Sequence, residues 1–314
     1  MKLALYSPIL MDGSPLDGDP AHDEALVKSW DRYGLLILSL ASLYRNPWIL
    51  ALVRKHCPHA IIMAYQDAFS SQPWLSEEAM QLEPDAMTSR QRRIGQAYEA
   101  INGDSLDITI PGVSKPLLQM WIDAAFSLGV GVFLDSTYAT CPFEASSEKH
   151  AKWTSTATSM IGYMSSFCAV LKLPFVVNPS WSHLTRGRFS ERWPDLEGVD
   201  PIASFQAGPG THKTDIIFCG FDPTLPWPSP DEQEARVRYA AGCALILDAY
   251  LCVGPTDLNW KDYGEYWEWD FEAMRWDLGR PIGLAQKGGN VWSRPYERGH
   301  VYVNVQNRQV EVVT

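Results

Sequence analysis

The residue with the clearest chemical setting is Asp135. It closes the most apolar run in the chain, Val130-Gly131-Val132-Phe133-Leu134, and Ser136-Thr137-Tyr138 follows it rather than a helical pattern. A carboxylate at the end of a buried strand is held on rigid backbone, where it can act as nucleophile, general base or ligand-binding group. Asp222 and Asp67 follow other apolar runs and are candidate partners for it; each equally suits a helix cap or an Asx turn. Tyr65, Gln66, Tyr138, Asn178, Trp181 and Gln206 stand at or near run ends and are candidate substrate contacts. Trp267 and Glu268 join them from Asp262-Tyr263-Gly264-Glu265-Tyr266-Trp267-Glu268-Trp269-Asp270, where carboxylates alternate with aromatic rings. That loop could wall a ligand site or simply seal the end of a domain.

These residues need elements to position them. Eight short apolar or β-branched runs occur at residues 2–6, 35–39, 60–66, 131–135, 174–178, 202–206, 215–219 and 250–253. Helical patterns fall between them, at 46–56, 88–101, 114–128, 146–171 and 231–247. Strands that alternate with helices form a parallel sheet, and near-continuous apolar strands are buried on both faces. No G-x-G-x-x-G follows the first run, so a closed (β/α)8 TIM barrel is expected over an open dinucleotide-binding sheet. In such a barrel the ends of the strands share one mouth, which makes the run-end residues the informative ones. The tail, 299–314, alternates as a terminal β-hairpin packed on the barrel of residues 1–298, part of the same domain.

Composition narrows the classes of partner. The 314 residues carry 26 Lys+Arg against 37 Asp+Glu, a net charge of −11, which disfavours nucleic acid. No apolar run is long enough to span a membrane, and the N-terminal stretch, interrupted by Pro8, does not read as a secretory signal. The expected location is therefore cytoplasmic, or outside by a non-classical route, a virus particle included. Six cysteines lie far apart without a C-x-x-C pair and read as reduced core thiols; no metal site and no cofactor are expected. Aromatic residues make up 12% of the chain, with many of the 13 tryptophans in polar, Pro- and Gly-rich segments, which suits the apolar faces and polar rims of sugars.

Four segments resemble a family of glycoside-hydrolase barrels distantly similar to endo-α-1,4-polygalactosaminidase-type enzymes. They are Tyr33-Gly34-Leu35-Leu36-Ile37-Leu38-Ser39 followed by Asn46-Pro47, then Gly129-Val130-Gly131-Val132-Phe133-Leu134-Asp135-Ser136, then Arg238-Tyr239-Ala240-Ala241 through Leu245-Ile246-Leu247-Asp248-Ala249-Tyr250, and Trp276-Asp277-Leu278-Gly279-Arg280-Pro281-Ile282-Gly283 with Trp292-Ser293-Arg294-Pro295-Tyr296-Glu297-Arg298-Gly299 behind it. The resemblance implies a TIM barrel acting on a carbohydrate polymer or oligosaccharide, with Asp135 matching the acidic residue at the end of the fourth strand. Related barrels often carry a second carboxylate at the end of the sixth strand, where this reading places Gln206, a residue that cannot act as an acid. Either the sixth strand is misassigned, the acid comes from Asp222, Asp67 or Glu268, or hydrolysis is lost and binding retained. The leading expectation is Asp135 as nucleophile or base with Asp222 as acid. The rivals are a non-catalytic carbohydrate-binding barrel and, more remotely, a metal-assisted hydrolase, for which His ligands are lacking.

Overall fold

The computed structural model describes residues 1–7, 20–40, 43, 47–69, 106–142, 145–179, 184–185, 187–193, 200–206, 214–221, 226–255 and 269–314. Eight parallel strands pair in chain order: β1 (Leu3–Ser7), β2 (Leu35–Ser39), β3 (Ile61–Asp67), β4 (Gly131–Thr137), β5 (Phe175–Pro179), β6 (Gly187–Trp193), β7 (Ile216–Phe221) and β8 (Tyr250–Pro255). The ring closes where Leu3 and Ala4 pair with Leu251 and Cys252, giving the (β/α)8 barrel. Outside it lie α1 (Pro20–Ser29), α2 (Pro47–His56), α3 (Pro111–Leu128), α4 (Ser147–Leu171), α5 (Pro201–Gln206) and α6 (Pro230–Leu247). β2 and β7 are buried at every residue, because one face fills the lumen and the other lies under helices.

Strand alternation divides the core into two layers. Phe133, Phe189, Phe218, Met63 and Ile37 fill the lumen, while Leu134, Val177, Ile217 and Cys219 face Trp121, Trp153 and the other helix residues. The lumen is crossed by a belt of rings. Tyr65 stacks on Phe133 at 5.8 Å, Phe133 meets Phe189 edge-on at 5.0 Å, and Phe189 stacks on Phe218 at 5.8 Å.

The sixth strand departs from the sequence reading. Residues 202–206 belong to α5, and the strand is Gly187-Arg188-Phe189-Ser190-Glu191-Arg192-Trp193. Its charges hide it: Arg188 is 5% exposed yet sits on the outer face, where Nη2 meets Asp215 Oδ2 at 2.7 Å. Gly187 begins this strand where a Cβ would lie 2.5 Å from the Thr214 carbonyl oxygen, so only glycine lets β6 approach β7 there. α3 starts at Pro111, before the expected 114, with Pro116 inside it; the preceding turn is fixed by Thr109, whose N–H and hydroxyl both donate to Asp107 Oδ1. The helix expected at 88–101 lies outside the described residues.

The expected C-terminal hairpin is half of a larger sheet, β9 (Gln286–Gly288), β10 (Val291–Tyr296), β11 (Gly299–Asn304) and β12 (Gln309–Val313). This antiparallel sheet packs on α6 at Gly242, where an added Cβ would fall 2.7 Å from Val310 and 3.0 Å from Val303. A second tie runs through Asp200 before α5, which accepts from Trp292 Nε1 at 2.9 Å and pairs with Lys287 at 2.8 Å. All six cysteines are buried and unbridged, and burial pushes the Cys168 thiol up to about 12. Among the described residues, no helix is long and apolar enough to cross a membrane.

Candidate active site

Asp135 lies two residues beyond Phe133 on β4, on the lumen side and at the C-terminal end of the strand. Its carboxylate accepts from the Tyr65 hydroxyl at 3.1 Å on Oδ2, and on Oδ1 from Asn178 Nδ2 at 3.0 Å and the Ser136 N–H at 2.8 Å. Both oxygens therefore act as acceptors. The backbone is pinned as well, since the Asp135 carbonyl accepts from the Ala68 N–H at 2.8 Å. Ser136 has φ of 50°, a left-handed conformation that is uncommon for a residue with a Cβ and often retained at functional sites.

The two side-chain donors arrive from neighbouring strands by register. Asp67 pairs with Asp135 and Tyr65 with Phe133 across β3 and β4, so Tyr65 points its hydroxyl up from the ring belt beside Asp135. On the other side β5 is bound to β4 through Leu134 and Val177, and Asn178 is the next residue. Thr137 donates from Oγ1 to the Asn178 carbonyl at 2.7 Å, which locks the two strand ends together. Asn178 is 5% exposed.

Asp135, Asp67, Tyr65 and Asn178 are thus gathered at the mouth. Tyr138 stands on its rim, 38% exposed, with its carbonyl accepting from Trp153 Nε1 at 3.1 Å. Gln66 alternates to the other face of β3: it pairs with Leu134 of the outer layer and is 2% exposed. Among the described residues neither atom of its amide has a hydrogen-bond partner. Gln206 ends α5 in the helix layer rather than a strand. Asp222, Trp181, Trp267 and Glu268 lie outside the described residues.

Placing β6 at Gly187–Trp193 brings in a residue the sequence reading passed over. Glu191 follows Phe189 by two residues, as Asp135 follows Phe133, near the C-terminal end of its strand. The alternation of Gly187 and Phe189 was the available signal for the strand. Pairing between β6 and β7 shifts register between Ser190 and Trp193, an irregularity common beside active sites. Among the described residues, no group of three or more His, Cys, Asp or Glu is placed to hold a metal ion.

No family model matches the chain, and no curated protein sequence matches it. Among solved structures it is similar to a β-L-arabinopyranosidase from Geobacillus stearothermophilus in complex with arabinose, at 11% identity and TM-score 0.52, over 96% of this chain and 84% of that one. It is also similar to a quadruple mutant of an α-N-acetylgalactosaminidase from Bifidobacterium bifidum, at 11% identity and TM-score 0.51, over all of this chain and 57% of that one. A D-allulose 3-epimerase from Methylomonas sp. matches at 12% identity and TM-score 0.42, over 81% of this chain and 83% of that one. At these identities the likeness shows the fold alone, a TIM barrel.

Proposed function

We propose that the chain is a glycoside hydrolase acting at the C-terminal mouth of the barrel on a carbohydrate polymer or oligosaccharide. Asp135 serves as nucleophile or base. Glu191 joins Asp222 and Asp67 as a candidate acid, because Gly187–Trp193 is the sixth strand, and related barrels often carry a second carboxylate near the end of that strand. The observation that carries the reading is the Asp135 carboxylate itself, fixed by three donors at the mouth above a floor of rings.

Glycosidic cleavage needs this kind of pair. One carboxylic acid protonates the leaving oxygen while the other carboxylate attacks the anomeric carbon or deprotonates a water. A separation of about 5–5.5 Å gives retention and about 6.5–9.5 Å inversion. The glycosidases named above, on the same fold, lend support to sugar chemistry at such a mouth.

The test is a screen of purified protein on polysaccharides and on aryl glycosides, N-acetylgalactosaminides and arabinopyranosides included, with product analysis. Cleavage that falls by roughly 10³-fold or more in Asp135→Asn is the expected result. Undiminished cleavage by Asp135→Asn would remove that residue from the chemistry. Binding without turnover across the whole panel would favour a carbohydrate-binding barrel instead.

A further inference from the structure

We infer that Tyr65 and Asn178 act as positioning residues for Asp135. The inference rests on the reading of Asp135 as the reacting carboxylate. Position alone would class both residues as substrate contacts, since both stand at the ends of strands that open on the mouth. Donor accounting and burial tie them to Asp135.

A phenol has one O–H, and the Tyr65 proton is directed at Asp135 Oδ2 at 3.1 Å, so its single donor is committed to the carboxylate and only the oxygen lone pairs are left. The ring below is held by stacking on Phe133 at 5.8 Å and 26°, within the lumen belt. This makes the hydroxyl a fixed post whose height is set by the aromatic floor. Asn178 is 5% exposed, too little surface for a ligand to read, and its Nδ2 donates to Asp135 Oδ1 at 3.0 Å. The Asn178 backbone is held in turn by Thr137 Oγ1 at 2.7 Å.

With the Ser136 N–H as third donor at 2.8 Å, the carboxylate plane is set by contacts from β3, β4 and β5 together. A freely rotating carboxylate would meet an anomeric carbon or a water in few of its orientations. Fixing the plane puts that entropic loss into folding rather than into each turnover.

The test has two arms. In protein labelled with ¹³C at the Asp carboxyl carbon, the Asp135 resonance is identified by its loss in Asp135→Asn. Tyr65→Phe, which keeps the ring on Phe133, and Asn178→Ala should each displace that resonance, and the double variant should displace it by about the sum. This arm needs no substrate. In the second arm, on any glycan the wild type cleaves, Tyr65→Phe should lower kcat about tenfold with KM within about twofold, as loss of one hydrogen bond to a charged group predicts. A raised KM with unchanged kcat, or an Asp135 resonance that stays in place in both folded single variants, would overturn the inference. If no glycan is cleaved, the hydrolase reading fails while the resonance arm still decides whether the clamp exists.

Discussion

Replacing Asp215 with asparagine tests how far the wall between β6 and β7 depends on one buried ion pair. Arg188, 5% exposed, gives Asp215, 2% exposed, its backbone N–H at 3.0 Å, Nε at 3.3 Å and Nη2 at 2.7 Å. The guanidinium also donates to the Phe205 carbonyl and lies 4.1 Å from the Phe205 ring, tying α5 to the strand. In Asp215→Asn an amide oxygen still accepts the backbone N–H, but a desolvated cation is left without its counter-charge. Breaking a buried pair from one side costs about 3–5 kcal/mol, and the retained acceptor puts this change near 3 kcal/mol. At about 2 °C per kcal/mol for a chain of this size, Tm should fall by roughly 6 °C. Arg188→Met strands the carboxylate instead and should cost about as much. The double variant leaves no uncompensated charge, so it should be less destabilised than the sum of the singles by about 2–3 kcal/mol. Urea unfolding of all four proteins, followed by tryptophan fluorescence at neutral pH, measures the cycle. Singles within about 1 kcal/mol of wild type, or strict additivity, would refute the account of why a strand this charged is buried.

Two further outcomes follow from buried polar groups. Gln66→Met removes a 2% exposed amide that has no partner among the described residues and keeps its length, so stability should rise by about 1–2 kcal/mol; a loss in the same urea assay would count against that environment. Burial alone would raise the Asp107 carboxyl, but Lys149 at 2.7 Å and the two bonds from Thr109 overcome it and hold it below its ordinary value. Because the folded-state value is depressed, this contribution is complete above the ordinary carboxylate range and is lost as pH falls through the folded value. The urea midpoint should therefore drop below about pH 4, and less steeply in Lys149→Ala; an unchanged pH dependence in that variant would dismiss the pair as a source of acid sensitivity.

The parts of the barrel that were legible in the sequence are those where burial is written in side-chain type. β2 reads Leu-Leu-Ile-Leu-Ser because both of its faces are covered, and its limits match expectation to the residue. β6 escaped because Arg188 satisfies its charge on the helix side with a residue 27 positions away, a partnership invisible to any local window. The short α5, Pro-Ile-Ala-Ser-Phe-Gln, has too few residues to show a helical period and passes for an apolar strand. At the mouth, the place of Asp135 near the end of β4 was legible from the apolar run that precedes it. The clamp was not: that Tyr65 reaches Asp135 Oδ2 depends on register between β3 and β4, and Asn178 depends on the offset between β4 and β5.

The ring belt has a topological outcome as well. Packed from Tyr65 through Phe133 and Phe189 to Phe218, it plugs the barrel axis below Asp135. Nothing can thread through the axis, so whatever enters at the rim must back out the same way. A molecule bound at that end of the barrel would leave by the side on which it arrived.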